Sequence, residues 1–356
     1  MHTLDLTPGR IGAFARCLLA SGMALLAALI MPERAMAAAE YKIVTASDKG
    51  TYYAIGKDLA KFVAPDADVQ LEVMATSGSA ANVKLLRYEP GVKLAVVQAD
   101  VFQAFVDRAG SGNNEAAAMV RPLRVILPLY NTEIHYIVRA DSPLNYIHDI
   151  KDAKINGGLV GSGAALITHT LYRMMFSGPM PEAQASFMSN EEALVKLISD
   201  KSVDVVVVAA GQPAPLIANM RPEAQKFIKL LKFDPDHPAS KTALGTYTPA
   251  KMLAASYPNL LSEDFTTISV GAFLVTYDYN LKDTISHMAR FGRSLCQNFS
   301  RLQADGHPKW REVSLKLPEL GNGWTYFGPT ARELRACNVV MKKRCSAEER
   351  ILGLCN

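Results

Sequence analysis

Residues 41–63, YKIVTASDKGTYYAIGKDLAKFV, predict a strand, a polar turn and a helix in immediate succession. We expect the strand over 41–46 and the helix over 52–63. Four apolar residues recur on one face of that helix at helical spacing, Ile55, Leu59, Phe62 and Val63. This unit fixes the fold class, because the rest of the chain repeats its order.

Two similar units follow directly. Residues 69–75 alternate like a strand, and Ser79 is expected to be the N-cap of a helix that runs to about Leu86. Residues 94–98 form the next strand, and a further helix begins after it. Repeated β-α units predict a parallel sheet with helices on both faces.

The pattern of predicted strands and helices changes in the middle of the chain. Residues 123–129 and 134–138 predict two strands, separated by the polar residues 131–133. A second α/β round then predicts a strand at 154–160, a helix at 164–176, a helix opened by the capping box Ser189–Glu192, and a central parallel strand at 203–210.

The last third predicts a strand at 268–276, one long helix at 281–304 and a short helix at 330–336. Two α/β rounds joined by a strand pair indicate two lobes with a cleft between them. We assign 38–138 together with about 268–356 to lobe I, and 139–267 to lobe II.

Residues 1–37 are typical of a secretory signal peptide. Arg10 and Arg16 precede an apolar run at 17–31, and Ala35-Met36-Ala37 fits the small-x-small pattern of a signal peptidase cleavage site. The alternative is a retained membrane anchor, but the apolar run falls short of the roughly 20 residues needed to span a bilayer. We therefore expect an exported protein.

One of the five cysteines, Cys17, lies in the predicted signal peptide. The other four, Cys296, Cys337, Cys345 and Cys355, lie close together in the sequence. In an oxidising compartment an even, clustered set predicts two disulfides, with three possible pairings. We favour Cys296–Cys337 and Cys345–Cys355. The alternative, a zinc site, lacks a CxxC spacing and a neighbouring histidine pair, so no metal is expected.

Several function classes are disfavoured by what the sequence lacks. The net charge of +4 comes without a basic patch, so no nucleic-acid partner is expected. No phosphate-binding glycine motif indicates a nucleotide cofactor, and we expect no cofactor at all. Ser162 lies in VGSGA rather than a GxSxG elbow, and the histidines form no HExxH motif, so we expect binding and no catalysis.

Three strand-to-helix turns, at 47–53, 76–82 and 161–165, each expose backbone amides at the positive end of a helix. Any one of them could serve only as a cap. Together they predict an anion-binding cleft. Lys49 could pair with a ligand carboxylate, and Gln98 and Asp100 could accept from an ammonium or hydroxyl group.

Five motifs in register resemble the TAXI class of extracytoplasmic solute receptors, which serve TRAP-type (tripartite ATP-independent periplasmic) transporters. They are GTYYAIG at 50–56, GSAAN at 78–82, VQAD at 97–100, GSG at 161–163 and GQP at 211–213. The family's first turn usually carries a Gly-Thr-Gly-like run, which is absent here.

The resemblance implies a two-lobed periplasmic-binding-protein-like fold and a periplasmic location. It also implies capture of a small anionic solute, such as glutamate or 2-oxoglutarate, and delivery to the membrane subunits of a TRAP permease. The alternatives are the binding protein of an ABC importer, a periplasmic ligand sensor or an exported hydrolase. The expected ligand-binding residues are Ser47, Lys49, Gly50, Thr51, Tyr52, Tyr53, Ser79, Asn82, Gln98, Asp100, Gly161, Ser162, Gly163, Gly211 and Gln212.

Overall fold

A computed structural model describes residues 38–321 and 323–343, and these form a mixed α/β structure around one sheet. The strands are β1 (Ala39–Val44), β2 (Val69–Met74), β3 (Val92–Gln98), β4 (Leu123–Arg139), β5 (Ile155–Asn156), β6 (Ala185–Ser186), β7 (Val205–Ala210), β8 (Ile228–Leu230), β9 (Thr248–Met252) and β10 (Phe265–Tyr277). The helices are α1 (Thr51–Phe62), α2 (Ser79–Tyr88), α3 (Ala99–Gly110), α4 (Asn114–Val120), α5 (Gly163–Phe176), α6 (Asn190–Ile198), α7 (Pro215–Ala218), α8 (Pro222–Gln225), α9 (Pro238–Lys241), α10 (Lys282–Gln297), α11 (Phe299–Asp305) and α12 (Gly328–Lys343). Six short 3₁₀ turns lie among the described residues, at Pro65–Ala67, Ile147–Asp152, Glu182–Gln184, Ala243–Gly245, Ala254–Ser256 and Pro308–Glu312.

The sheet order is β2-β1-β3-β10-β4-β7-β5-β6, with β8 added to β4 and β9 added to β10. Strand pairs are parallel at both ends of the sheet, β2-β1-β3 and β7-β5-β6. The long strands β10 and β4 lie between these ends and pair antiparallel with each other and with their neighbours. We call β1–β3 with α1–α4 the first lobe, and β5–β7 with α5 and α6 the second lobe. The α/β class, with a large sheet flanked by helices, is confirmed.

Alternation of side chains across the strands explains why both faces of the sheet are covered. In the first lobe, Leu94 and Val96 contribute to an apolar cluster on one face, while Ala95 and Val97 contribute to a cluster on the other. The second lobe repeats this division along β7. A period of two places successive residues on opposite faces, so a strand buried on both sides must be apolar throughout.

Two expectations about strands in the middle of the chain were wrong. Residues 123–139 form one 17-residue strand, because Asn131, Thr132 and Glu133 continue the ladder opposite β10, with a register shift at Gly271/Phe273. The strand expected at 203–210 lies between an antiparallel and a parallel neighbour, since β7 pairs with both β4 and β5.

Other element boundaries also differ from expectation. The strand expected at 154–160 ends at Asn156, because Gly158 and Gly161 take positive φ values. The helix expected over 281–304 breaks at Asn298, whose side-chain amide donates to the Ser294 carbonyl oxygen.

Ser79 is not an N-cap. Gly78 takes the N-cap position of α2, and Ser79 is the first helical residue. Its hydroxyl oxygen accepts instead from the backbone N–H of Gln98, at 3.2 Å, and so joins α2 to the end of β3. The C-terminal helix is also longer than expected and spans Gly328–Lys343.

A disulfide joins Cys296 on α10 to Cys337 on α12, which confirms that predicted pairing. The second predicted pair, Cys345 and Cys355, lies outside the described residues, as does the predicted signal peptide at 1–37. Among the described residues, none of the helices combines the length and the apolar character needed to cross a membrane.

We expect the Cys296–Cys337 disulfide to stabilise the fold, because it closes a loop with a sequence separation of 41 residues. Replacing both cysteines with serine should lower the free energy of unfolding by about 2–4 kcal/mol. Urea denaturation measures this loss. An unchanged free energy of unfolding in the double variant would contradict the assignment.

Candidate functional site

A cavity of about 160 Å³ lies between the two lobes. Its walls come from the turns that precede helices and from the carboxyl end of β7. Nine of the residues expected from the sequence line it: Ser47, Lys49, Gly50, Thr51, Tyr52, Ser79, Gln98, Ser162 and Gly163.

Four helices of eight or more residues begin at this cavity. Gly50 and Gly78 are the N-caps of α1 and α2 in the first lobe, and Ser162 and Ser189 are the N-caps of α5 and α6 in the second. The first amides of a helix have no intrahelical acceptor and lie at the positive end of the helix dipole. Four such ends around one small cavity form an environment that favours a negative charge.

The backbone amides at the two glycine N-caps are less occupied by cap side chains than those at the two serine N-caps. The Ser162 hydroxyl oxygen accepts from Ala165 N–H at 3.0 Å, and the Ser189 hydroxyl oxygen accepts from Glu192 N–H at 3.2 Å. No side chain caps α1 or α2 at Gly50 or Gly78, and the first turn of neither helix carries an acidic residue. The first lobe therefore offers backbone amides that its own side chains do not occupy.

Charged side chains lie at the rim of the cavity. Lys49 Nζ is 3.2 Å from Glu191 Oε1, and these side chains are 60% and 40% exposed. The pair joins the first lobe to the second. Since both groups are solvated, the pair contributes little to stability and can separate at low cost.

Two amide oxygens lack partners in the cavity wall. Gln98 Oε1 and Asn190 Oδ1 are buried, and neither has a hydrogen-bond partner among the described residues. Gln98 ends β3, and its side chain lies against Gly163, where a Cβ atom would fall 1.6 Å from Oε1. Glycine at 163 is therefore required for this close approach between the lobes.

Two hydrogen bonds join the turns of the two lobes. The Thr51 hydroxyl donates to the Gly211 carbonyl oxygen at 2.9 Å. The backbone N–H of Ala81 donates to the carbonyl oxygen of Gly161 at 3.2 Å. The residues predicted at 211 and 161 thus form part of the contact between lobes, and they lie outside the cavity lining.

Asn82 and Tyr53 are also outside the lining. Asn82 is fully buried; its amide donates to the carbonyl oxygens of Thr45 and Val96, and it accepts from Thr76. Asn82 therefore ties α2 to β1 and β3. The Tyr53 ring lies near Lys57, whose Nζ is 5.9 Å from the ring centroid.

Asp100 contacts Tyr247, which packs in the apolar cluster of the second lobe. It is buried at the start of α3, where it accepts from the Tyr247 hydroxyl at 3.3 Å and from Val101 N–H at 2.8 Å. Burial raises the pKa of Asp100 to about 7, and the hydrogen bonds only partly offset it. Asp100 is outside the cavity lining and joins α3 to the second lobe.

Gln212 belongs to a buried polar cluster behind the cavity. Its backbone N–H donates to Glu133 Oε2 at 3.0 Å, and the other oxygen of Glu133 accepts from Lys309 Nζ at 2.5 Å. The Lys309 side chain is fully buried and also contacts Glu312 at 2.8 Å. Burial raises the pKa of Glu133, and the Lys309 ammonium opposes this rise.

Sequence reasoning missed three parts of this arrangement. Asn190 and Glu191 line the cavity, and the capping box that opens α6 was the signal that could have placed them there. Lys309 follows a histidine-proline turn in a region without a motif, so no sequence pattern indicated its burial against Glu133. Within the described residues no group of three or more His, Cys, Asp or Glu side chains could hold a metal ion.

The fold is mixed α/β, and its cavity lies where helices of both lobes begin. The chain belongs to the NMT1-like family, whose model matches residues 43–317. The TAXI class indicated by the sequence motifs is a finer assignment and stays a prediction.

Several solved structures are similar in architecture. A binding protein component of an ABC phosphonate transporter from Pseudomonas aeruginosa has 12% identity and a TM-score of 0.49, over 89% of this chain and 93% of that one. A protein from Bordetella bronchiseptica has 11% identity and a TM-score of 0.47, over 84% and 89%. A protein from Xanthomonas citri bound to chloride ion has 10% identity and a TM-score of 0.45, over 85% and 98%.

Asp100 gives a pH-dependent prediction. Because its pKa is raised from 3.8 to about 7, the folded protein holds this proton more tightly than the unfolded chain. The charged carboxylate therefore reduces stability increasingly from about pH 4 to 7 and by a constant amount above that range. Asp100→Asn should raise the free energy of unfolding by about 1–4 kcal/mol at pH 8, with the difference vanishing near pH 4.

Urea denaturation at pH 4.5, 6 and 8 measures the difference. The exposed Asp107→Asn variant is the control. A difference between Asp100→Asn and the wild type that stays constant across this pH range would be inconsistent with a buried, titrating Asp100.

Proposed function

We propose that this protein is a periplasmic solute-binding protein that captures a small anionic solute between its two lobes. A carboxylate such as glutamate or 2-oxoglutarate is the proposed ligand class. The observation that carries the proposal is the convergence of four helix N-termini, two from each lobe, on a single cavity.

The charge of the proposed ligand follows from those helix ends. Each N-terminus carries roughly half a positive elementary charge, and the amides can donate hydrogen bonds directly to an anion. The cavity, at about 160 Å³, is smaller than the roughly 300–1,000 Å³ of drug-sized sites. A metabolite of a few carbon atoms suits it better than a nucleotide.

Capture requires that the ligand favour the closed arrangement. A ligand can shift an equilibrium between open and closed forms only through different affinities for the two. An anion held by the amides of α1 and α2 and by those of α5 meets this requirement, because it contacts both lobes. The Thr51–Gly211 and Ala81–Gly161 hydrogen bonds then add to the closed state alone.

The cellular setting is part of the proposal. Residues 1–37 would act as a cleaved export signal, lobe I would comprise 38–138 and about 268–356, and lobe II would comprise 139–267. The TAXI resemblance supports the membrane subunits of a TRAP permease as the partner. An ABC importer or a sensor would use the same capture step, and co-purification with the membrane partner would distinguish these systems.

Native mass spectrometry of protein purified from its own periplasm tests the capture step directly. We expect one small acid to be retained, and a Ser47→Trp variant, which fills the cavity from its exposed edge, to lose it. Ser111→Trp, on an exposed turn away from the cavity, is the control. Retention by Ser47→Trp would contradict this site, and chemical conversion of the retained acid would indicate a hydrolase.

The hydrogen bond between Thr51 and Gly211 gives a prediction about closure. Thr51→Val keeps the side-chain shape but removes a bond made only when the lobes meet, so affinity for the retained acid should fall roughly 3–10-fold. Isothermal titration calorimetry measures it.

Thr267→Val is the matched control, because its hydroxyl bonds to the carbonyl oxygen of Ile134 within the sheet. It should lower stability and leave affinity unchanged. Equal losses of affinity in both variants would argue against a role for Thr51 in closure.

A further inference from the structure

The cavity presents acceptors as well as donors. Gln98 Oε1, at the carboxyl end of β3, and Asn190 Oδ1, at the start of α6, are buried in its wall without a hydrogen-bond partner among the described residues. One belongs to the first lobe and the other to the second. Buried polar atoms in folded proteins are almost always paired, so two such oxygens in one wall call for a partner that enters the cavity.

Gln98 is held in place by its neighbours. Its backbone N–H donates to the Ser79 hydroxyl oxygen, and the residue is only 1% exposed. Its side chain packs against Gly163, where the absence of a Cβ atom lets the second lobe close over Oε1.

The second oxygen belongs to the second lobe and lies beside the loop that precedes α5. A Cβ atom at Gly158 would fall 3.5 Å from Asn190 Oδ1 and 3.3 Å from the Ser162 hydroxyl oxygen. Asn190 therefore lies beside the N-cap of α5, where the amides favour an anion. A donor that reaches Asn190 must belong to a ligand whose negative group lies close by.

We propose that the captured solute carries a hydrogen-bond donor, an ammonium or hydroxyl group, next to its carboxylate, and that Gln98 and Asn190 accept from it. This inference rests on the proposed function and narrows its ligand class to 2-amino and 2-hydroxy acids. A 2-oxo acid brings a carbonyl oxygen to the same place, which is a third acceptor and leaves both amide oxygens unpaired.

Discrimination between these acids should be large. A site built to pair with an OH or NH group rejects an analogue that lacks it, because the buried partners lose their hydrogen bonds. We expect the donor-bearing acids to bind at least about 10-fold more tightly than the oxo acid of the same skeleton.

Isothermal titration calorimetry at fixed pH and salt tests this with two matched series. The five-carbon series is glutamate, 2-hydroxyglutarate, 2-oxoglutarate and glutarate, and the three-carbon series is alanine, lactate, pyruvate and propionate. The expected result is tighter binding of the amino or hydroxy acid within the series that binds. Equal or tighter binding of the oxo acid would overturn the inference and leave anion capture intact, whereas no binding of any of the eight acids would overturn both.

Variants assign the effect to the two oxygens. Gln98→Met keeps the length of the side chain and removes the acceptor, so the ratio between donor-bearing and oxo acids should collapse towards one. Gln225→Met is the matched control, because Gln225 Oε1 is also buried and unpartnered but lies outside the cavity lining. Its ratio should match that of the wild type.

Asn190 provides an independent readout that does not depend on how Gln98→Met folds. Asn190→Ala should reduce the ratio, and Asn190→Asp, which keeps an acceptor at the same place, should restore it for the amino acid. Unchanged ratios in both Gln98→Met and Asn190→Ala, with thermal melts showing folded protein, would refute the assignment.

Discussion

The antiparallel pairing of β4 with β10 is the constraint on which the cavity depends, because these long strands run through both lobes. The register places the carboxyl end of β3 opposite the middle of β10, and the carboxyl end of β7 opposite the middle of β4. Gln98, at the end of β3, pairs with Ala272, and Ala210, at the end of β7, pairs with Glu133. Glu133 in turn pairs with Ser269. The strands of the two lobes therefore approach this middle from opposite ends, and the helices that follow them begin at a shared space.

The ion pair between Lys309 and Glu133 lies at this middle. Burying both groups costs several kcal/mol per ion unless the remaining hydrogen-bonding capacity is met. Here Glu133 accepts from both Lys309 and Gln212, and Lys309 also contacts Glu312. Gly211 allows the close packing, because a Cβ atom there would fall 2.9 Å from the Lys309 side chain. The pair thereby fixes the turn whose Gly211 carbonyl oxygen accepts from the Thr51 hydroxyl across the lobes.

Local pattern was enough to predict β1–β3 and α1–α3 of the first lobe, because apolar periodicity and turn residues there agree with the tertiary structure. Local pattern failed where the structure of a segment is determined by residues distant in the sequence. The polar residues Asn131 and Thr132 look like a loop, yet pairing with β10 keeps them in a strand. Asn82 resembles a ligand residue, yet its amide is used by β1 and β3. The strand-to-helix turns of the site could be recognised, but the position of Lys309 depends on a contact with Glu133, 176 residues away.

A site made of backbone amides and neutral amide oxygens suits a protein that must release what it binds. A buried cation dedicated to the anion would carry a desolvation penalty whenever the solute is absent, and pairing it internally would compete with the solute. Helix dipoles avoid this cost, since their charge is fixed in the backbone. The cation that lines the cavity, Lys49, is 60% exposed and paired with Glu191 across the rim. Opening the lobes therefore breaks a solvated ion pair and a few hydrogen bonds between the lobes.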